Sequence, residues 1–157
     1  MTGTGQPLLA RDIMSSPAIT IGTDMTVGEA AAVMLKHNFG SLPVVDGSGR
    51  FAGLMTERVF LPSEKAYPFM RGTTMTLLGR AMGGTENMEE VVREVCNQPV
   101  GEVMETDVPT AGEDTPAAEL AETMVRDHIH HIPVVRDGVP VGMVSWHDFL
   151  RIFVEAM

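Results

Sequence analysis

The stretch from Ser41 to Thr56 reads SLPVVDGSGRFAGLMT, and the stretch from His131 to Ser145 reads HIPVVRDGVPVGMVS. Each places Pro-Val-Val before a turn rich in Asp and Gly and then a second β-rich run, so each predicts a β-hairpin. The second turn, Asp137-Gly138, is tighter and belongs to the primed type, which tolerates positive φ. The chain therefore carries the same hairpin twice, about ninety positions apart.

The regions before the two hairpins also match. Ala18 to Ile21 is a short apolar run typical of a strand, and Thr26 with Glu29 has the spacing of a capping box that starts a helix. In the second copy Thr115 is the predicted cap, and Pro116 is placed at the first helical position. Apolar residues then recur at helical spacing in both copies: Val27, Ala30, Ala31, Met34 and Leu35, and Ala117, Leu120, Ala121, Met124 and Val125.

We therefore predict an α/β (α+β) fold of two β-α-β-β-α repeats. Each repeat has a sheet face that it cannot bury alone, so the two should pack sheet to sheet about a pseudo-twofold axis, with clefts between them. The predicted boundaries are residues 8–61 for repeat 1, residues 62–97 for a linker that contains a helix, and residues 98–153 for repeat 2.

One position distinguishes the chemistry of the two copies. When Gly53-Leu54-Met55-Thr56 is placed over Gly142-Met143-Val144-Ser145, Val59 falls on Asp148. A carboxylate can accept hydrogen bonds from ligand hydroxyls or cap a helix, and a valine side chain can do neither. The two clefts should therefore differ in what they can bind.

Composition excludes several classes of protein. The 157 residues are 44% hydrophobic with a formal net charge of −10, and no apolar run approaches the roughly 20 residues of a membrane span. The start lacks the apolar core of a secretory signal, so we expect a cytoplasmic protein without a membrane partner. Acidity and the lack of a Lys/Arg cluster argue against a nucleic-acid partner. Cys96 is expected to be an inert thiol on a helix. The sequence contains no nucleophile with a base at a suitable spacing, so we do not expect an enzyme.

The motifs together match a known pattern: Met14 and Met104 before the first strands, the two Pro-Val-Val motifs, and Gly142-Met143-Val144-Ser145 followed by Asp148. On these residues the chain resembles a tandem pair of cystathionine β-synthase (CBS) domains, a Bateman module of the free-standing bacterial type, over about residues 8–61 and 98–153. The resemblance implies a non-catalytic regulatory module that binds an adenosine-containing ligand (AMP, ADP, ATP or S-adenosylmethionine) and acts on an unknown partner protein. It implies no further cofactor.

The resemblance also assigns residues to the two clefts. In the family the Ser/Thr of Gly-x-x-Ser/Thr-x-x-Asp contacts phosphate and the Asp holds the ribose diol. Carried over, the complete site consists of Ser145, Asp148 and Met143 with Ala18, Ile19, Phe39, Ser41, Leu42 and Pro43. The weaker, pseudo-symmetric cleft has Val59 in place of the Asp and is formed by Thr56, Arg58, Val108, Pro109, Ile129, His131, Ile132 and Pro133. That cleft is empty, holds a ligand without ribose, or is filled by its own side chains.

Plainer interpretations stay open. Asp148 and Ser145 can simply cap the helix that follows them, and the whole chain can be a protein-interaction scaffold without a small-molecule ligand. The resemblance further implies a homodimer formed through exposed helical faces, for which the apolar residues of the last helix would supply the surface: Phe149, Ile152, Phe153 and Val154.

The histidines suggest a metal site, but their pattern argues against it. His128, His130, His131 and His147 match no zinc signature, and His130 and His131 should point to opposite faces of a strand. We expect instead that His131 lines a cleft and favours anionic ligands when it is protonated. Among the arginines, Arg58 is the expected phosphate partner near a cleft.

The linker is longer than most loops. Its second part, Glu86 to Asn97, predicts a helix with Met88, Val91, Val92 and Val95 on one face. Its first part, Tyr67 to Gly84, is rich in Met and Gly and has no clear periodicity. Two interpretations stay open for this part: a loop packed over the core, and an adaptable surface for a partner or ligand.

Overall fold

A computed structural model of the chain describes residues 5–60, 74–77, 80–83 and 88–157. The first repeat consists of a short helix, a strand, a long helix and a hairpin: α1 (Ala10–Ile13), β1 (Ile21–Gly22), α2 (Val27–His37), β2 (Ser41–Val45) and β3 (Phe51–Thr56), followed by a 3-10 turn (Glu57–Phe60). The middle segment contains β4 (Thr74–Leu77), β5 (Arg80–Gly83) and α3 (Met88–Cys96). The second repeat contains α4 (Val100–Val103), α5 (Ala117–Asp127), β6 (His131–Arg136), β7 (Val139–Ser145) and α6 (Trp146–Glu155).

The predicted mixed α/β fold of two repeats is confirmed. In repeat 1, β1 runs parallel to β2, and β2 pairs antiparallel with β3. In repeat 2, β6 pairs antiparallel with β7, and the counterpart of β1 is a single parallel bridge between Ala111 and Val134. Asp137 and Gly138 both have positive φ, 50° and 78°, as the primed turn requires. The Thr26–Glu29 capping box is also present, with N···O distances of 2.9 and 3.2 Å.

Two boundaries differ from prediction. The predicted strand Ala18 to Ile21 begins only at Ile21, because Ile21 and Gly22 are the residues that pair with β2, while Ala18 and Ile19 face a cavity. The helix α5 begins one residue late, with Pro116 at the cap. The Thr115 hydroxyl accepts a hydrogen bond from the Gly112 amide at 3.1 Å instead of capping the helix.

The leading helices are exchanged between the repeats. The Ala10 amide donates to the Thr115 carbonyl at 2.8 Å, and its counterpart, the Val100 amide, donates to the Met25 carbonyl at 2.8 Å. Ala10 and Val100 are fully buried, each in the hydrophobic core of the other repeat. The two contacts match each other, as expected for repeats related by a pseudo-twofold axis. Each core includes a residue of the other repeat's leading helix, so neither core is complete without that helix.

The middle segment differs from its prediction in two respects. The described part of Tyr67 to Gly84 is an antiparallel hairpin of β4 and β5, where the sequence showed no periodicity; the rest of that stretch lies outside the described residues. The helix predicted for Glu86 to Asn97 is present as α3, but one residue of its predicted apolar face is exposed. Val95 is buried in the first core, whereas Val92 is 41% exposed. Within the described residues, no helix is long and apolar enough to cross a membrane.

Candidate functional site

A cavity of about 910 Å³ lies between the two repeats. Its walls come from the segment before β1, the end of α2 and the start of β2 on one side, and from the end of β7 and the start of α6 on the other. This volume is in the range of small-molecule sites. The structure places all nine residues of the predicted complete site around this cavity: Ala18, Ile19, Phe39, Ser41, Leu42, Pro43, Met143, Ser145 and Asp148.

Asp148 is buried at the first turn of α6, with only 3% of its side chain exposed. Its Oδ2 atom accepts from the Ser145 amide at 2.7 Å and from the Ser145 hydroxyl at 3.2 Å, and its Oδ1 atom lies 3.3 Å from Arg151 Nη2. The structure therefore shows that Asp148 caps α6. Each carboxylate oxygen offers about two lone pairs, so Oδ1 can still accept from a ligand, and Oδ2 can do so if the Ser145 hydroxyl turns toward that ligand.

Ser41, at the start of β2, lines the cavity and carries a buried hydroxyl without a hydrogen-bond partner. The residue is 5% exposed, and among the described residues its Oγ is the only buried side-chain polar atom without a hydrogen-bond partner. Buried hydroxyls are nearly always paired, because an unpaired one costs free energy. Ser41 is the exception to this rule among the described residues.

His131, which the sequence assigned to the weaker cleft, lines this cavity. The reason is Gly40, which has no side chain: a Cβ there would lie 3.3 Å from His131 Cε1 and 3.5 Å from Glu57 Cδ. Burial lowers the pKa of His131, and positive charge on His130 and His147 lowers it further, while Glu57 and Asp148 act in the opposite direction.

Ionisable residues that the prediction had not assigned to a site surround His131. His130, His147, Glu57 and Arg151 all line the cavity. The signal was present in the sequence, because His147 adjoins Asp148 and Arg151 follows it by three positions on the same helix. The favoured arginine, Arg58, is exposed and does not line this cavity.

No group of three or more His, Cys, Asp or Glu side chains is arranged to hold a metal ion in the part of the chain that the structure describes. His128 is exposed and, unlike His130, His131 and His147, does not line the cavity. It adopts a left-handed conformation, with φ of 53°, at the C-terminus of α5.

The pseudo-symmetric cleft contains an acidic residue that sequence reasoning missed. Glu105 pairs with Leu54 through backbone bonds of 2.8 and 2.9 Å, just as Ser15 pairs with Met143 in the other half. Its Oε1 accepts a hydrogen bond from the Thr56 hydroxyl at 3.4 Å. Val59 is half-buried and packs against the first core. The sequence contained a signal for this contact, because Glu105 aligns with Ser15. The alignment places a carboxylate beside the Thr56 hydroxyl, the group that would contact a phosphate.

The remaining residues assigned to that cleft differ in exposure. Val108, Pro109 and Ile129 are half-buried, and Ile132 and Pro133 are buried. Thr56 itself is buried. Its hydroxyl is already engaged by Glu105.

A family model described as "CBS domain" matches residues 10–61 and 100–155, which is more than half of the chain. The chain therefore belongs to the CBS-domain family and contains two such domains in tandem. The solved CBS domain pair of protein MJ0100, in complex with 5′-methylthioadenosine and S-adenosyl-L-methionine, is similar to it. That structure matches with a TM-score of 0.70 at 28% identity, over 97% of this chain and 100% of that chain.

Two further proteins illustrate the range of relatives. The CBS domain of a CBS-domain-containing membrane protein from Sphaerobacter thermophilus matches with a TM-score of 0.68 at 34% identity, over 92% of this chain and 87% of that chain. The L-aspartate semialdehyde sulfurtransferase of Methanocaldococcus jannaschii is 30% identical over 92% of this chain but only 23% of its own length. The chain spans between 13% and 31% of three of the curated relatives that it matches.

Proposed function

We propose that this CBS pair is a regulatory sensor that binds an adenosine-containing ligand in the cavity at Asp148 and acts on a partner protein. The observation that carries the proposal is the Asp148 carboxylate, which is buried in the wall of a cavity between the repeats. The MJ0100 pair, whose fold is similar, was solved with two adenosyl compounds. AMP, ADP, ATP and S-adenosylmethionine are therefore the ligand class to test.

Each polar residue of the cavity has a role in this proposal. The Asp148 carboxylate accepts from the ribose hydroxyls, beginning with Oδ1, which has a free lone pair. The Ser145 hydroxyl and the first amides of α6 face the phosphate or its equivalent, because the start of a helix attracts negative charge. Ser41 binds a polar edge of the base, while Ile19, Phe39 and Met143 contact its apolar faces.

The test is calorimetric titration of the chain with AMP, ADP, ATP and S-adenosylmethionine, repeated on Asp148→Asn. Losing charge-assisted hydrogen bonds costs roughly 1.5–3 kcal/mol each, so affinity should fall at least about tenfold. The amide oxygen of Asn can still cap α6, so the fold should survive.

Glu29→Gln is the matched control, since Glu29 is the equivalent residue of the capping box at α2 and does not line the cavity. It should leave affinity unchanged. Equal affinity of Asp148→Asn and the unmodified chain would show that the site lies elsewhere.

A second candidate function is a protein-interaction scaffold, and one observation favours it. The last turns of α6 carry large apolar side chains in solvent, with Phe153 69% and Val154 71% exposed. Absence of heat with every adenosine ligand would support the scaffold over the sensor. The two functions also combine naturally, because a sensor needs a surface through which it acts.

A further inference from the structure

One end of the cavity is lined by three imidazoles. His130 and His131 approach it from the start of β6, and His147 and Arg151 approach from α6. The carboxylates of Glu57 and Asp148 face the same space. Arg151 and Asp148 lie 3.3 Å apart, so their opposite charges largely offset each other. The Glu57 carboxylate adds a negative charge, so the protonation of His131 decides how strongly this end of the cavity favours an anion.

His131 occupies the central position in this group. Its ring lies against Gly40, beside the Glu57 carboxylate, and the residue is half-buried. Burial and the neighbouring imidazoles hold the pKa of His131 below its ordinary value, so the free protein carries a neutral imidazole here near pH 7. A neutral imidazole can take up a proton when an anion arrives next to it.

We propose, taking the adenosine site as given, that His131 with His130 and His147 forms a proton-coupled anion subsite that selects phosphorylated adenosine ligands over uncharged and sulfonium-bearing ones. The group is not arranged as a metal site within the described residues, which leaves charge as its chemical contribution. A phosphate at the start of α6 lies on the His147 and Arg151 side of the cavity. The sulfonium of S-adenosylmethionine at the same end is disfavoured once His131 is protonated.

The direction of the pH dependence follows from linkage. A bound phosphate favours the imidazolium, so the pKa of His131 is higher in the complex than in the free protein, and binding takes up protons. Affinity for a phosphorylated ligand then rises as the pH falls through the interval between these two pKa values. An uncharged ligand shows no such rise, and a sulfonium ligand binds more weakly as the histidines charge.

Titration calorimetry of the full chain at pH 8, 7 and 6 tests this inference. The probes are AMP, uncharged 5′-methylthioadenosine and S-adenosylmethionine, each in two buffers of different ionisation enthalpy so that proton uptake is counted. AMP affinity should rise about tenfold from pH 8 to pH 6, since one proton taken up changes affinity by up to about tenfold per pH unit. The affinity for 5′-methylthioadenosine should stay constant, and that for S-adenosylmethionine should fall.

Variants separate the protein's protons from those of the ligand, because a phosphate monoester itself titrates near pH 6. His131→Gln should abolish most of the proton uptake and flatten the AMP profile. His147→Gln changes an exposed residue, does not threaten the fold, and should reduce the rise two- to threefold as a rough expectation. His128→Asn, exposed and outside the cavity, should behave like the unmodified chain.

The outcomes are distinguishable. Binding of AMP with the same pH profile and proton count in the unmodified chain and in both cavity variants would overturn the anion subsite and leave the adenosine site intact. An equal pH response for 5′-methylthioadenosine would do the same. Absence of binding by all three compounds at every pH would overturn the proposed function itself, and this inference with it.

Discussion

Asp148 caps α6 and also lines the main cavity, so one side chain is both a cap and a candidate ligand-binding group. Its Oδ2 atom is engaged with Ser145, and its Oδ1 atom faces both Arg151 and the cavity. In the other repeat Glu29 caps α2 and does not line this cavity. The two capping boxes differ in their surroundings, and only those surroundings separate a structural carboxylate from a candidate binding group.

At Ser41 we expect a trade between stability and affinity. Ser41→Ala removes an unpaired buried hydroxyl, so the free energy of unfolding should stay the same or rise by up to about 1 kcal/mol. If the hydroxyl bonds a ligand, the same change should weaken adenosine-ligand binding by about 0.5–1.5 kcal/mol, roughly two- to tenfold. Urea denaturation and calorimetry measure the two effects.

The control for this prediction is Thr56→Val. Thr56 is the strand partner of Ser41 but bonds Glu105, so its replacement should lower stability by about 0.5–1 kcal/mol and spare affinity at the Asp148 cavity. A Ser41→Ala protein that is clearly less stable would mean that the hydroxyl already has a partner.

The exchanged helices α1 and α4 are short elements that stabilise the molecule out of proportion to their length. Each has four residues and contributes a fully buried side chain to the core of the other repeat. This crossing also explains the glycine found at the same position in both hairpins. A Cβ at Gly142 would lie 2.9 Å from the Ser15 carbonyl oxygen, and one at Gly53 would lie 2.7 Å from that of Glu105. Glycine is needed where the leading segment crosses the hairpin.

Shortening the buried side chain of α4 should therefore destabilise repeat 1, although α4 belongs to repeat 2 by sequence. Val100→Ala removes two buried methyl groups and leaves a cavity, so the free energy of unfolding should fall by about 2 kcal/mol. Val92→Ala on α3, where the side chain is 41% exposed, should cost under about 0.5 kcal/mol. Urea denaturation of both variants measures the difference, and equal stability of the two would refute the exchange.

For the whole molecule, the surface available for self-association differs from the predicted one. Phe149 is buried in the second core, and Ile152 is half-buried and packs against that core. Leu150, Phe153 and Val154 remain exposed on α6, and Leu35 and Val125 are exposed on α2 and α5. The proposed homodimer would bury these helical faces, since a closed twofold arrangement uses the same patch on both subunits.

Phe153→Asp tests this assembly. A carboxylate at the centre of an apolar interface is desolvated without a partner, so the dimer dissociation constant should rise at least about tenfold. Sedimentation velocity over a concentration series measures the shift. Val139→Asp, at the exposed first residue of β7, should leave the sedimentation profile unchanged. A dimer that persists in Phe153→Asp would place the interface on another face.

Much of the fold and one cleft could be predicted from the sequence. The repeats, the two hairpins, the Thr26–Glu29 cap and the nine residues around the main cavity depend on local spacing and on the family resemblance, both of which are readable along the chain. The contents of the second cleft were not predicted, because the Glu105–Thr56 contact joins residues 49 positions apart. The start of α5 was predicted one residue too early, because the Thr115 hydroxyl accepts from the Gly112 amide and not from an amide of the helix.

The sequence by itself determined the duplicated β-α-β-β-α architecture and the difference between Val59 and Asp148, because periodicity, turn chemistry and residue identity are local properties. Only the tertiary structure decided that the leading helices cross between the repeats, that Ser41 is buried without a partner, and that His131 turns over Gly40 into the main cavity. These features depend on which distant groups approach one another, and burial and hydrogen-bond satisfaction are properties of that approach.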